Sequence, residues 1–342
     1  MYSMKAVQQR AAALGFKFCF SARSKQPKTK GHYFLSSTSI GYLSSNHNMN
    51  YKSASRARLG RAGCIAASLA FCAVGPAAAG DRLLATSGVS QVEGAAGGGL
   101  SPWALIAGGG SRDQVGASVF ATRVHTRGGY VLDSAGVALG IQDTLELSAA
   151  QLRFGLADTV PGQSLAMEVF GLKWRLLGDA VYDADRWQPQ VAFGLQYKQN
   201  RRMVVPALVG ARRSSDTEPY LAATKLWLGA AGGFNVLTNL TLRATRANQF
   251  GLLGFGGDRG DRLTLKPELS VAVLPRDNLA FGFEWRAKPS LLTAVPETRA
   301  VDLFVAWWPT RHFSLTVAYL DLGQIADKTS QRSSYLSAQA QF

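Results

Sequence analysis

LTLKPELSVAVLPRDNLAFGFEWR, residues 263–286, sets the reading of the whole chain. Leu263, Leu265, Leu269, Val271 and Val273 alternate with Thr264, Lys266, Glu268, Ser270 and Ala272. After a Pro275–Asn278 turn, Leu279, Phe281, Phe283 and Trp285 alternate with Ala280, Gly282, Glu284 and Arg286. The pattern returns in Val301, Leu303, Val305 and Trp307, turns at Pro309–His312, and resumes with Phe313, Leu315, Val317 and Tyr319. The chain ends on Leu336, Ala338, Ala340 and Phe342. A period of two means strands with one apolar and one polar face. In a soluble sandwich the apolar face is the core. In an outer-membrane barrel it meets lipid, and the other face lines a polar interior.

Outward from that stretch, twelve strands are expected at 116–126, 131–141, 144–154, 165–176, 189–199, 220–230, 235–246, 263–274, 279–286, 300–308, 313–321 and 333–342; ten or fourteen remain compatible. Short connections largely alternate with longer polar or Gly-rich ones, as periplasmic turns alternate with extracellular loops. An even strand number with about 10 residues per strand suits a bilayer span. Residues 116–342 therefore read as an all-β, antiparallel, up-and-down transmembrane barrel. Thr144–Phe154 alternates poorly and Pro267 removes a ladder donor in mid-strand, so each suggests a bulge or a changed register. Trp174, Trp187, Tyr197, Tyr220, Trp285, Trp307, Trp308, Phe313 and Tyr319 fall near expected strand ends, where interfacial aromatic girdles belong.

Charge and cysteine divide the chain. The sequence carries 37 Lys+Arg against 22 Asp+Glu, but residues 1–80 hold 11 basic residues and no acidic one, leaving 26 against 22 beyond them. The basic excess belongs mainly to the leader, so nucleic acid is not an expected partner. Cys19, Cys64 and Cys72 also precede residue 80, so the remainder offers no disulfide, thiolate nucleophile or zinc–sulfur site. Ala62–Val74 is a short apolar run after Arg56, Arg58 and Arg61, followed by Pro76–Gly80. This is a secretory signal peptide over 49–79, with cleavage after Ala79 and export through the periplasm. Residues 1–48 lack periodicity and read as a disordered or mis-assigned extension upstream of a start at Met49.

Residues 80–115 are Gly-rich and contain neither GxGxxG opening a helix nor a P-loop. Two roles fit them: a periplasmic linker, or a segment folded into the lumen as a plug. The run GDRLLATSGVSQVEGAAGGGLSPWALIAGGGSRDQVGAS, residues 80–118, resembles the opening of a Gram-negative outer-membrane family known only as domain of unknown function 3034. The resemblance covers about 80–342 and implies an outer-membrane barrel. It implies no activity.

With the apolar face set to lipid, the candidate pore-lining residues are Lys173, Arg175, Lys198, Lys225, Arg243, Lys266, Glu268, Glu284, Arg286 and Asp302, with Gln196 beside them. Basic side chains in a pore favour anions. The leading expectation is a narrow, passive, porin-like channel with mild anion preference, passing small anionic solutes. A mutually satisfied charge network blocking the lumen is the competing reading. The pattern also admits a closed structural or adhesion barrel acting through its loops, and an outer-membrane hydrolase. His125 and His312 are the only histidines after residue 80 and no GxSxG occurs, so the chain reads as non-enzymatic. No cofactor or metal site is expected; Asp258 and Asp261 lack EF-hand spacing. Expected partners are outer-membrane lipid and the barrel-assembly machinery, which would read the terminal Phe342.

Overall fold

The computed structural model of the chain describes residues 84–342, apart from Ala184 and Asp327. The signal peptide, the Ala79 cleavage site and the Met49 start lie outside the described residues. Two short strands, β1 (Val89–Ser90) and β2 (Ala96–Gly97), pair with each other. Twelve long ones follow: β3 (Val115–Thr126), β4 (Val131–Ile141), β5 (Leu145–Gly155), β6 (Ser164–Leu177), β7 (Gln190–Asn200), β8 (Ser215–Ala231), β9 (Phe234–Thr245), β10 (Thr264–Arg276), β11 (Leu279–Ala287), β12 (Arg299–Thr310), β13 (Phe313–Asp321) and β14 (Arg332–Gln341). Each pairs antiparallel with its chain neighbours, and β14 pairs with β3 to close the barrel. Closure leaves no edge strand and satisfies the backbone within the wall, as a bilayer demands. The expected strands are all present. The largest boundary error is at β8, which begins at Ser215 rather than 220.

The wall is inside-out relative to a soluble protein. Leu240, Leu242, Leu265, Leu269, Phe281, Phe283, Leu303 and Val317 are large, apolar and exposed. Their neighbours in sequence, among them Asn239, Thr241, Arg243, Glu268, Ser270, Glu284, Asp302 and Thr316, are buried inside. Only a lipid surround accounts for that arrangement, and the barrel is an outer-membrane protein. Trp174, Trp227, Trp307 and Phe313 stand on the outer face near the short-turn end, while Tyr197 and Tyr319 stand toward the long-loop end. Tyr220 differs from expectation: it turns inward and is buried, as Trp308 is.

The two irregular strands are regular in register. β4 and β5 pair without a shift from Val131↔Gly155 to Ile141↔Leu145. The apparent irregularity of β5 is a reversal of polarity along it. At its loop end Leu152 and Phe154 point inward, into a cluster with Val124, Tyr130, Leu165 and Met167, while Gln151 and Arg153 point outward. Pro267 is accommodated without a bulge. The β9–β10 register runs unbroken past it, and pairing with β11 starts only at Glu268.

If the outer face meets lipid, Leu269→Arg places a charge near the middle of the β10 span. It should lower unfolding stability in phospholipid vesicles by roughly 2–4 kcal/mol. A urea midpoint equal to that of the unaltered protein would contradict a lipid-facing β10.

Candidate functional site

The chemistry of the barrel is inside it, and residues 84–110 are held there. A wall of about eight strands is filled by its own side chains, so twelve leave room for a length of chain. The segment is buried from Thr86 almost throughout and hydrogen-bonds to most of the wall. The Ser87 and Ser90 hydroxyls donate to Gln341 and Gln339 of β14, each at 2.7 Å. The Trp103 indole N–H donates to the Ser270 hydroxyl of β10 at 2.9 Å. The Thr241 hydroxyl of β9 donates to the Pro102 carbonyl, and the Gln190 amide of β7 to the Ala104 carbonyl. The Ala104 N–H donates to Thr224 of β8 at 2.8 Å. Turns and a two-residue hairpin ladder satisfy part of the segment's buried backbone, and wall side chains supply partners for much of the rest. Glycine is required where wall and segment approach closest: a Cβ on Gly140 of β4 would lie 2.0 Å from the Ala107 carbonyl oxygen.

Six charges close into a ring at the centre. Glu93 contacts Lys198, and Lys198 lies 2.6 Å from Glu218. Glu218 is 3.3 Å from Arg243, and Arg243 is 2.5 Å from Glu268. Glu268 is 3.3 Å from Arg286, which returns to Glu93 at 2.9 Å. Five members come one each from the consecutive strands β7 to β11. The sixth, Glu93, belongs to the inner segment. All six are buried, and with Glu93 the positive and negative charges balance. Gln196 accepts from Arg243 at 2.5 Å, and Arg243 also lies over the Tyr220 ring at 5.1 Å.

A second anchor lies on β5 and β6. Lys173 sits 3.0 Å from Glu146 and donates to the Ala96 and Leu105 carbonyls. Glu146 accepts the Ala96 and Ala107 N–H groups. Glu284 accepts from the Leu100 N–H and from Ser270, each at 2.7 Å. Its strand partner is Asp302, and among the described residues neither carboxylate has a basic partner. Arg175 closes the short-turn end, 2.5 Å from Asp143 and 3.2 Å from Asp179. Lys266 is inward and half-buried, with no polar partner among the described residues.

Lys225 is a correction. It pairs with Thr238 on the outward row and is covered by the 178–189 connection, where its ammonium donates to the Asp183 and Arg186 carbonyls. The inward row of β8 is Glu218, Tyr220, Ala222 and Thr224. Taking Tyr220 for an outward girdle residue reverses that assignment. Gly194 opposite shows why the ring turns in: a Cβ there would lie 2.1 Å from the Tyr220 ring. Glu93 and Glu218 were missed, one in a segment without periodicity and the other in the last residues of an expected loop.

The opposite end is filled by a loop. Residues 247–257 fold inward around a 3-10 turn at Asn248–Gly251 and are buried except for half-buried Phe250. Phe250 lies beneath Arg286 and Lys288, 4.6 Å and 5.5 Å from its ring centroid. Its φ of 61° is in the left-handed region, a strained state held by these contacts. The Gln249 N–H donates to Glu297 at 2.9 Å. Burial pushes the Glu297 carboxyl up against the opposing pull of Lys288 and that N–H.

The histidines take no part. His125 faces outward, directly across from Ser334 on β14, but no hydrogen bond joins them and no group orients the ring among the described residues. His312 bonds the Gln341 carbonyl at the short-turn end. Asp258 and Asp261 are engaged by the Thr293 N–H and by Arg213.

The family profile for DUF3034, described as a protein of unknown function, matches residues 86–339, which include both Glu93 and all but the last two residues of β14. The chain belongs to this family. No curated protein matches it. Among solved structures it is similar to the KdgM porin, at 10% identity over 66% of this chain and 99% of that one, with a TM-score of 0.43. The NanC porin matches at 10% identity over 65% and 98%, with a TM-score of 0.42. The Acinetobacter baumannii outer membrane protein Omp33 matches at 6% identity over 66% and 97%, with a TM-score of 0.40. These similarities are too distant to carry an activity across to the DUF3034 chain.

Glu93→Gln removes one charge from the ring and leaves Lys198 and Arg286 under-compensated. Loss of one partner from a buried pair costs about 3–5 kcal/mol. Amide exchange across 84–110 should then quicken by about two to four orders of magnitude while β3–β14 stay protected. Unaltered protection would mean that the ring does not hold the segment.

Proposed function

We propose that this DUF3034 protein is a gated outer-membrane channel for small polar solutes, with residues 84–110 as its plug. One observation carries the reading: the segment is held by polar, exchangeable contacts to a wall that is itself polar and charged. Withdrawal of the plug would expose Lys173, Arg175, Lys198, Arg243, Lys266 and Arg286 against Glu146, Glu218, Glu268, Glu284 and Asp302. Asp143 and Asp179 neutralise Arg175, but at the central ring Lys198, Arg243 and Arg286 would face only Glu218 and Glu268, and that one excess positive charge supports a mild preference for anions. With Glu93 in place the excess is cancelled. Both chain ends of the barrel lie at the short-turn end, where Ala117 and Phe342 exchange two backbone hydrogen bonds of 2.8 Å. In the proposed orientation that end is periplasmic, so the plug enters from the periplasm after export.

The buried 247–257 loop favours a second reading, a permanently closed structural barrel that acts through its outer loops. Planar-bilayer conductance separates the two. The intact protein should be silent or nearly so. Deletion of 84–110, with folding checked by heat-shifted gel mobility, should yield discrete steps and a weakly anion-selective reversal potential. A folded deletion variant that stays silent would rule out the channel and leave the structural barrel.

A further inference from the structure

The outer wall is not uniformly apolar. Its exposed charges gather at the loop end of β14, β3, β4 and β5, where the inside–outside pattern reverses. Arg123, Asp133 and Arg153 form one cross-strand row, through the pairs Arg123↔Asp133 and Asp133↔Arg153. Arg123 is 2.6 Å from Asp133, and their side chains keep 69% and 47% of their surface accessible, so the pair is open to the surroundings. His125 stands one step nearer the loops, with exposed Arg127 and Arg332 beyond it. Among the described residues, Arg127, Arg153 and Arg332 have no acidic partner. By contrast, the outward residues of β7, β10 and β11 carry no charge within the span.

Directly beneath the charged row, toward mid-membrane, lies a row of small residues: Ala338, Ala121 and Ala135, joined by the pairs Ala338↔Ala121 and Ala121↔Ala135. The row continues into Gln151 of β5 on one side and Leu315 of β13 on the other. A cationic ledge thus sits above a shallow trough. The ledge is near strand ends, where outward Arg is tolerated because the headgroup region begins. Guanidinium groups suit phosphate, which they bind through several donors at once.

On the outer-membrane reading, we propose that this face binds the phosphorylated headgroup of an outer-leaflet lipid, with Arg123 and Arg153 on the phosphate and acyl chains over Ala121, Ala135 and Ala338. A second copy of the chain is disfavoured by charge. Two-fold packing of this face would set like charges against like, since Arg123, Arg127, Arg153 and Arg332 outnumber Asp133 and Asp321, the acids beside them.

The test uses the protein extracted from membranes in mild detergent, with native mass spectrometry and thermal shift as readouts. The probes are lipopolysaccharide, its dephosphorylated form and inorganic phosphate. The unaltered protein should retain and be stabilised by phosphorylated lipopolysaccharide alone. The double variant Arg123→Gln/Arg153→Gln should bind at least tenfold more weakly, while Arg299→Gln, outward on β12, should bind as before. Because the altered side chains are exposed, gel mobility should confirm that the barrel is intact. Equal binding by the double variant, or by dephosphorylated lipid, would overturn the proposal. So would stabilisation by free phosphate alone, or self-association that the double variant abolishes in the absence of lipid. None of these outcomes depends on whether the barrel conducts, so failure here and failure of the channel reading are distinguishable.

Discussion

A strand barrel in lipid must turn its apolar side chains out, and that constraint forces its polar ones inward. Once inward they are out of bulk water, where an unpaired charge is expensive. The wall of this protein contributes Lys198, Glu218, Arg243, Glu268 and Arg286 to one buried patch, and they do not balance among themselves. Glu93, carried in on a separate length of chain, completes the alternation. The position of the inner segment and the electrical neutrality of the centre are consequences of that single requirement.

The two ends of the barrel meet it differently. At the short-turn end, Arg175 is held between Asp143 and Asp179, and Gln339 and Gln341 reach the segment as it enters. At the loop end the interior is partly apolar. Val124, Tyr130, Leu152, Phe154 and Met167 pack together there with Leu252 and Leu253 from the inward loop. On that side the outer face becomes polar to match, as expected where strands emerge from hydrocarbon into the headgroup layer. Inner packing and outer chemistry reverse at the same level because adjacent residues on a strand face opposite ways.

Some of this was legible from residues alone. Alternation in 263–286 and its repeats located twelve strands, because lipid on one side and polar contents on the other leave a period of two wherever both hold. Lys173, Lys198, Arg243, Glu268, Glu284, Arg286 and Asp302 could be assigned to one face for the same reason. β8 resisted because Ala222, Ala223, Leu226 and Trp227 give no clean alternation. Its facing is set by the space at Gly194 that Tyr220 fills, and that space belongs to another strand. β5 seemed irregular because its polarity changes sign along its length, which a single-period reading counts as noise.

The sequence by itself determined the pattern of the wall: alternating strands, their connections and, β8 apart, which face meets lipid, since each follows from local alternation and nearby turns, while the count of twelve is fixed by closure. Tertiary structure alone decided what the wall encloses. Glu93 lies far in sequence from Lys198, Arg286 and the other members of its ring, in a Gly-rich stretch with no periodicity to betray it. Its partners are chosen by barrel closure, which brings five strands to one point. No local pattern could have shown that.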